Sequence, residues 1–303
     1  MLRTLKQQCP DAHVFVLSMD LDAQNLLERL GLPDVTCIPL THVENEELLF
    51  VKSSRSKAEY CWTLSPCFPL YILEHYSFVD NITYLDADLC FYSSLQPLFD
   101  EISNASVVII EHRFPPSFKH MEIRGRFCVE WVGFRRDDVG LACLRRWRDQ
   151  CIEWCFHRLE DGRMGDQKYL DDWPASFPNV HILQHVGAGV APWNYSQYLF
   201  GYENSQITVN NQPLIFYHFH QFQILSATQF DRLSTAYRKM GREPEMVYQF
   251  YESSLMEVLT NVREILPNFS AGISPPLKVK MHRHIQRFFP HSLKEFLKKF
   301  IQI

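Results

Sequence analysis

An α/β fold, a mostly parallel sheet flanked by helices with a helical C-terminal extension, is what this sequence predicts. Short apolar, partly β-branched runs alternate with helix-patterned segments, the signature of strands joined by crossover helices. The 303 residues are 46% hydrophobic and 14% aromatic, too apolar for a disordered chain and enough for a sizeable core. All six Trp lie between Trp62 and Trp193, whereas the stretch from about Phe230 has none and is helix-rich in pattern. The chain is therefore read as a main body over residues 1–230 and a helical appendage over 231–303.

Met1 to Gln8 reads as an opening helix. His13-Val14-Phe15-Val16-Leu17 follows as a strand, and Leu26, Leu27 and Leu30 at helical spacing form the next helix, stopped by Gly31. Between them, Asp20-Leu21-Asp22 reads as a helix entry with Asp22 as the cap. Val35-Thr36-Cys37-Ile38-Pro39-Leu40, Ile82-Thr83-Tyr84-Leu85 and Val107-Val108-Ile109-Ile110 are the further strands. A long helix is expected from near Asp138 to Leu159, because Leu144, Trp147, Cys151, Trp154, Cys155 and Leu159 fall on one stripe before Asp161-Gly162.

Composition excludes several classes. Glycine is scarce at 11, and neither a GxGxxG fingerprint nor a GxxxxGK[ST] phosphate loop is present. The net charge of −5 argues against a nucleic-acid binder. It is unevenly spread: Ser274 to Ile303 carries seven Lys or Arg against one Glu, a charge of +6, which leaves −11 on the preceding residues. No apolar signal segment opens the chain and no run of about 18 apolar residues follows, so a cytoplasmic location is expected. The nine Cys sit in apolar or helical contexts without a Cys-x2-Cys pair, which points to reduced core thiols rather than disulfides or structural zinc.

Chemistry begins at Tyr84-Leu85-Asp86-Ala87-Asp88. On an extended strand, positions i and i+2 face the same way, so Asp86 and Asp88 can present two carboxylates to one point. The carboxyl end of an apolar strand is where open α/β sheets bind ligands, and two hard oxygen donors suit Mg²⁺ or Mn²⁺. Alone, such a triplet reads equally well as a solvated turn.

Its context resembles a known family. Asn81-Ile82-Thr83-Tyr84-Leu85-Asp86-Ala87-Asp88-Leu89, with Ser94-Leu95-Gln96-Pro97-Leu98-Phe99 shortly after, is similar to the DxD region of GT-A-fold glycosyltransferases, most of all retaining family 8 and related bacterial surface-polysaccharide transferases. Arg55-Ser56-Lys57-Ala58-Glu59-Tyr60 resembles the helix that brings Arg55, Lys57 and Tyr60 near the nucleotide sugar. Gly165-Asp166-Gln167-Lys168-Tyr169-Leu170 resembles the Asp-Gln motif facing the transferred sugar, and Gly187 to Asn194 and Tyr217-His218-Phe219-His220 complete the order. The resemblance implies a GT-A fold, transfer of a hexose from a nucleoside diphosphate sugar (UDP-linked first) to a saccharide or lipid-linked saccharide acceptor, retention of configuration, and a histidine as third metal ligand. It also implies a first strand ahead of a helix, and Met1 to Gln8 already reads as that helix. An Asn-x-Gly common near Cys128-Val129-Glu130 is absent.

A glutamine amide both donates and accepts, so Gln167 suits a sugar hydroxyl or positive charge at an anomeric carbon, with Asp166 orienting the sugar. His218 and His220 alternate with aromatics on a strand-like run; His218 is the first choice as ligand, and imidazole suits Mn²⁺ better than Mg²⁺. Trp193 and Asn194 offer either a stacking face for a sugar or packing beneath a rigid loop. In the tail, Ser292 and Glu295 form a potential capping box, with Leu293, Phe296, Leu297, Phe300 and Ile301 opposite Lys294, Lys298 and Lys299; this fits a peripheral helix on an anionic membrane surface or a stripe packed on the body. A sugar-phosphate nucleotidyltransferase, or a non-catalytic binding protein on the same fold, is the alternative reading.

Overall fold

The computed structural model describes residues 1–274; the basic tail and its amphipathic stripe lie outside the described residues. The chain divides into two units, Met1–His218 and a second that begins at Phe219. The division falls earlier than the expected position near residue 230, because Phe219 is drawn into an aromatic cluster of the second unit. Its ring stacks on Tyr251 at 3.7 Å and meets Tyr248 edge-on at 5.2 Å.

The first unit opens with helix α1 (Leu2–Gln8), strand β1 (Val14–Ser18), helix α2 (Leu21–Leu30), strand β2 (Val35–Pro39) and helices α3 (Leu40–Val43), α4 (Glu46–Lys52) and α5 (Lys57–His75). Strands β3 (Asn81–Leu85) and β4 (Leu89–Phe91), helix α6 (Gln96–Ile102), strands β5 (Val107–Glu111) and β6 (Phe127–Arg135) and helix α7 (Asp138–Glu153) follow. The unit closes with a short helix α8 (Trp173–Ser176) and strands β7 (Val180–Ile182), β8 (Phe200–Glu203), β9 (Gln206–Val209), β10 (Gln212–Pro213) and β11 (Phe216–His218). In the second unit, strands β12 (Gln223–Ile224) and β13 (Phe230–Asp231) precede helix α9 (Glu245–Ile265).

The fold is mixed α/β. Strands β1 and β2 pair in parallel, whereas the four-stranded sheet in the order β3-β6-β5-β7 is mixed rather than mostly parallel. Strands β3 and β5 run the same way across helix α6, as the alternating pattern predicts, but β6 enters the slot between them from the opposite direction and is antiparallel to both. Only β7 adds a parallel pairing to β5. Among the described residues, β1 is hydrogen-bonded only to β2, and β3 only to β6.

One core lies between this sheet and its helices. Val107, Ile109, Val132 and Phe134 pack against Leu144, Trp147 and Cys151 of α7, Leu70 and Leu73 of α5, and Trp173. The rings of Trp147 and Trp173 meet edge to face at 5.5 Å, a geometry favoured by their quadrupoles. Local chemistry sets the helix starts. Asp20, not Asp22, caps α2, accepting from the Ala23 amide at 2.8 Å, and Ser56 with Glu59 forms a full capping box on α5.

The stop of α7 is where periodicity misleads. The apolar stripe continues to Leu159, but the helix ends at Glu153 and Trp154 turns to an extended conformation. Buried Arg55 explains this. Its guanidinium donates to the carbonyls of Cys151 at 2.7 Å and Ile152 at 2.6 Å, and to the Thr63 hydroxyl at 2.5 Å, so it satisfies the last carbonyls of α7 and sits at the negative end of its dipole. Replacing Arg55 with Ala should lower the unfolding free energy by about 2–4 kcal/mol, since several charge-assisted bonds are lost and buried carbonyls are left unpaired. Urea denaturation measures this, and a loss below about 0.5 kcal/mol would show that the α7 terminus does not need the guanidinium.

Candidate metal and donor site

Asp86, Ala87 and Asp88 do not continue the strand as pleat alternation required. β3 ends at Leu85, and the three residues turn into β4, with the Leu89 amide reaching the Asp86 carbonyl at 3.4 Å. The turn still brings the carboxylates together. What brings the third candidate ligand is the pairing of β4 with β11 in the register Leu89 to His218, Cys90 to Tyr217 and Phe91 to Phe216. His218 therefore lies opposite the residue that follows Asp88. Its Nε2 is 3.0 Å from Asp88 Oδ1 and 3.8 Å from Asp86 Oδ2, and ligand atoms of all three residues lie within 4.8 Å of one another.

Electrostatics mark this corner. Burial raises the Asp86 carboxyl to about 6, with Asp88 and Glu130 adding to the rise and His218 and a Tyr84 hydrogen bond opposing it. That bond runs from the Tyr84 hydroxyl to Asp86 Oδ1 at 3.0 Å. Burial works against a charged His218, yet Asp88, with hydrogen bonds to Asp88, Cys128 and Glu130, holds its imidazole well above the usual range. Two carboxylates and an imidazole within this span fit Mn²⁺ or Mg²⁺ by donor type, and the nitrogen favours Mn²⁺.

Asp166 belongs electrostatically to the same corner. It is buried at 3% exposure, and its Oδ2 has no hydrogen-bond partner. Burial pushes its carboxyl up to about 7; a Ser65 bond opposes the shift and the Asp86 charge reinforces it. Trp147 fixes the backbone here by donating to the Asp166 carbonyl at 3.0 Å. Gln167 faces elsewhere, its amide donating to the Arg124 carbonyl at 3.0 Å.

Several other expected residues hold structural positions. Asn194 is fully buried; its amide donates to the carbonyls of His112 and Gly189 and its oxygen accepts from the Ala191 amide. Trp193 is buried too, bonded to the His112 carbonyl at 2.9 Å, and its ring meets His218 edge to face at 5.1 Å. It walls the imidazole. Arg55 is engaged with α7, Tyr60 donates to Glu44 at 2.7 Å, and Lys57 is exposed in the first turn of α5. His220 lies in the second unit, bonded through Nδ1 to the Tyr237 hydroxyl at 2.9 Å, and no three-ligand group among the described residues includes it.

Sequence reasoning missed Glu130. This residue is fully buried in the middle of β6, and its Oε2 lies 2.6 Å from His218 Nδ1. The signal it left was one carboxylate inside the apolar run Phe127 to Phe134, since charged residues are almost never fully buried without a partner.

Fold and corner together define an α/β protein with a cluster of two carboxylates and a histidine at a strand end that could hold a metal ion. No protein-family model matches the chain. It is 32% identical over 290 residues to YfnD of Bacillus subtilis (strain 168), covering 94% of this chain and 93% of that protein. It is also 31% identical over 282 residues to YfnF of the same organism, covering 90% and 92%; both relatives are described as uncharacterized. The chain belongs to the family of YfnD and YfnF. Among solved structures it is similar to the galactosyltransferase LgtC in complex with donor and acceptor sugar analogs, at 13% identity and a TM-score of 0.46 over 85% of this chain and 89% of that one. Mouse xyloside xylosyltransferase 1 in its apo form gives 15% identity and a TM-score of 0.40 over 68% and 83%.

Proposed function

We propose that this protein is a metal-dependent glycosyltransferase of GT-A type that moves a hexose from a nucleoside diphosphate sugar, UDP-linked first, to a saccharide acceptor in surface-glycan synthesis. The observation that carries the reading is the convergence of Asp86, Asp88 and His218 at the end of β3, with the buried, unpartnered carboxylate oxygen of Asp166 in the same electrostatic neighbourhood. Asp86, Asp88 and His218 would hold the cation. When bound, a divalent ion there offsets the negative charge that builds on a leaving diphosphate.

The protein's own groups do the rest. Tyr84 orients Asp86 through its hydroxyl. Asp166, raised to about 7, accepts a hydrogen bond from a sugar hydroxyl when ionised and donates one when protonated, so it orients the donor sugar in either state. Gln167, at the start of a 3-10 helix, holds a second hydroxyl or steadies charge at the anomeric carbon once it leaves the Arg124 carbonyl. Retention of configuration and a lipid-linked acceptor rest on the family resemblance alone. No helix among the described residues is long and apolar enough to cross a membrane.

A thermal-shift panel of nucleoside diphosphate sugars with and without Mn²⁺ tests the reading. At about 100 times Kd a ligand stabilises the native state by about 2.7 kcal/mol, several degrees of Tm for a chain of this size. The rise should require both sugar nucleotide and metal. No shift with any member of the panel would remove the assignment, and turnover of nucleoside triphosphate plus sugar phosphate to diphosphate would replace it with a nucleotidyltransferase.

A further inference from the structure

Glu130 is an expensive residue to place where it is. A carboxylate buried in the middle of a sheet strand loses its hydration, and that loss is tolerated only where a partner compensates it. Among the described residues, the one ion-pair partner of Glu130 is His218, through the 2.6 Å contact from Oε2 to Nδ1. A carboxylate can only accept, so Nδ1 carries a proton toward Glu130; Nε2, 3.0 Å from Asp88 Oδ1 and 3.8 Å from Asp86 Oδ2, donates to Asp88 in the metal-free protein and would release that proton to ligate a cation.

The surroundings are built to keep that arrangement. The backbone amide of His218 donates to the Val190 carbonyl at 2.9 Å, Trp193 blocks one side of the imidazole, and Cys128 lies two residues before Glu130 on the same face of β6 and within the same cluster. Gly189 closes the other side of the carboxylate. It has φ +70°, and a Cβ there would stand 2.6 Å from Ile110 Cδ1 and 3.2 Å from Glu130 Oε1. The glycine-containing loop, which from sequence offered a sugar-stacking surface, thus packs its backbone against the buried carboxylate.

From this we infer that Glu130 is a positioning residue for the metal site: it fixes the tautomer and rotation of His218 so that the Nε2 lone pair points at a divalent cation shared with Asp86 and Asp88. The inference rests on the proposed metal-dependent reading. Carboxylates behind ligating histidines typically contribute 10- to 100-fold in metal affinity, so Glu130→Gln should weaken Mn²⁺ binding by about that factor while leaving the fold in place.

The test uses the full chain labelled with ¹⁵N-histidine and titrated with Mn²⁺ alone. Continuous-wave EPR reads affinity, pulsed EPR reads coupling between the ion and imidazole nitrogen, and near-UV circular dichroism monitors packing around the core tryptophans. Wild type should bind with nitrogen coupling, and Glu130→Gln should bind about 10- to 100-fold more weakly with the coupling reduced and the dichroism unchanged. Wild-type binding with coupling that persists unaltered in Glu130→Gln would overturn the positioning role and leave the metal site intact. Failure of wild type to bind, or binding without nitrogen coupling, would instead overturn the metal reading and this inference with it. Should Glu130→Gln not fold, NMR of the Mg²⁺-loaded wild type decides: a proton on Nδ1 of His218 supports the inference, and an unprotonated Nδ1 refutes it.

Discussion

Asp88→Asn should reduce metal-dependent turnover or hydrolysis of the nucleotide sugar by about 10²- to 10³-fold, the usual scale for removing one element of transition-state charge stabilisation. The substitution keeps the shape of the side chain and removes its charge. Asp88 Oδ1 lies 3.0 Å from His218 Nε2, and the side chain is 42% exposed, so of the three proposed ligands it is the most open to an incoming phosphate. An amide oxygen in its place is a neutral and weaker donor. Stability should change far less than activity: Asp88 offsets the charge on the buried His218 imidazole, so some native stability is lost below the raised imidazole range, but the isosteric variant stays folded. That contrast is the diagnostic feature: activity collapses, the near-UV dichroism of the folded variant stays, and excess Mn²⁺ restores part of the rate. A mutant as active as wild type would remove Asp88 from the metal site.

How far the sequence reveals this site depends on the range of the interactions involved. The Asp86–Asp88 pair is legible because it follows an apolar strand, and the stop of α2 is legible because Gly31 directly follows the last apolar residue of its stripe. Both signals are local. Glu130 is visible only as an unexplained charge, since its meaning comes from the antiparallel docking of β6 beside β3 and from the register of β4 with β11, and neither pairing leaves a periodic trace. The same pairings separate His218, the first choice from the sequence, from His220: β11 ends at His218 beside Asp86 and Asp88, whereas His220 bonds to Tyr237 in the second unit. The stop of α7 illustrates the opposite error. Its apolar stripe runs on through Trp154 and Cys155 because those residues are buried as well, but a guanidinium from a distant segment captures the carbonyls of the last turn. Arg55, which by resemblance lies near the nucleotide sugar, donates through Nη1 and Nη2 to carbonyls of α7, and of the two readings open for Asn194 its bonds to backbone fit packing of the loop.

Asp166→Asn should do two opposite things, and their combination separates a functional carboxylate from a structural one. In the native protein, burial and the neighbouring Asp86 charge raise the Asp166 carboxyl from 3.8 to about 7. Below about pH 4 the group is protonated in both folded and unfolded chains, and it then contributes no pH-dependent term. As the pH rises from 4 to 7, the unfolded chain gains by ionising while the native carboxyl is still protonated, so native stability falls; above pH 7 the penalty is constant. Each tenfold change in an ionisation constant between the two states is worth about 1.36 kcal/mol, so the penalty is about 4 kcal/mol. An asparagine has no such term, so in metal-free buffer the variant should match wild type near pH 4 and exceed it at pH 8 by several degrees of Tm. Turnover at pH 8 should move the other way, down by about 10²-fold, the scale of losing one well-placed group that holds the reacting sugar. A residue selected for packing would not be stabilised by its own replacement. Equal pH profiles of Tm for the two proteins would show that Asp166 is ionised without cost in the native state, and full activity in the variant would remove it from the donor site.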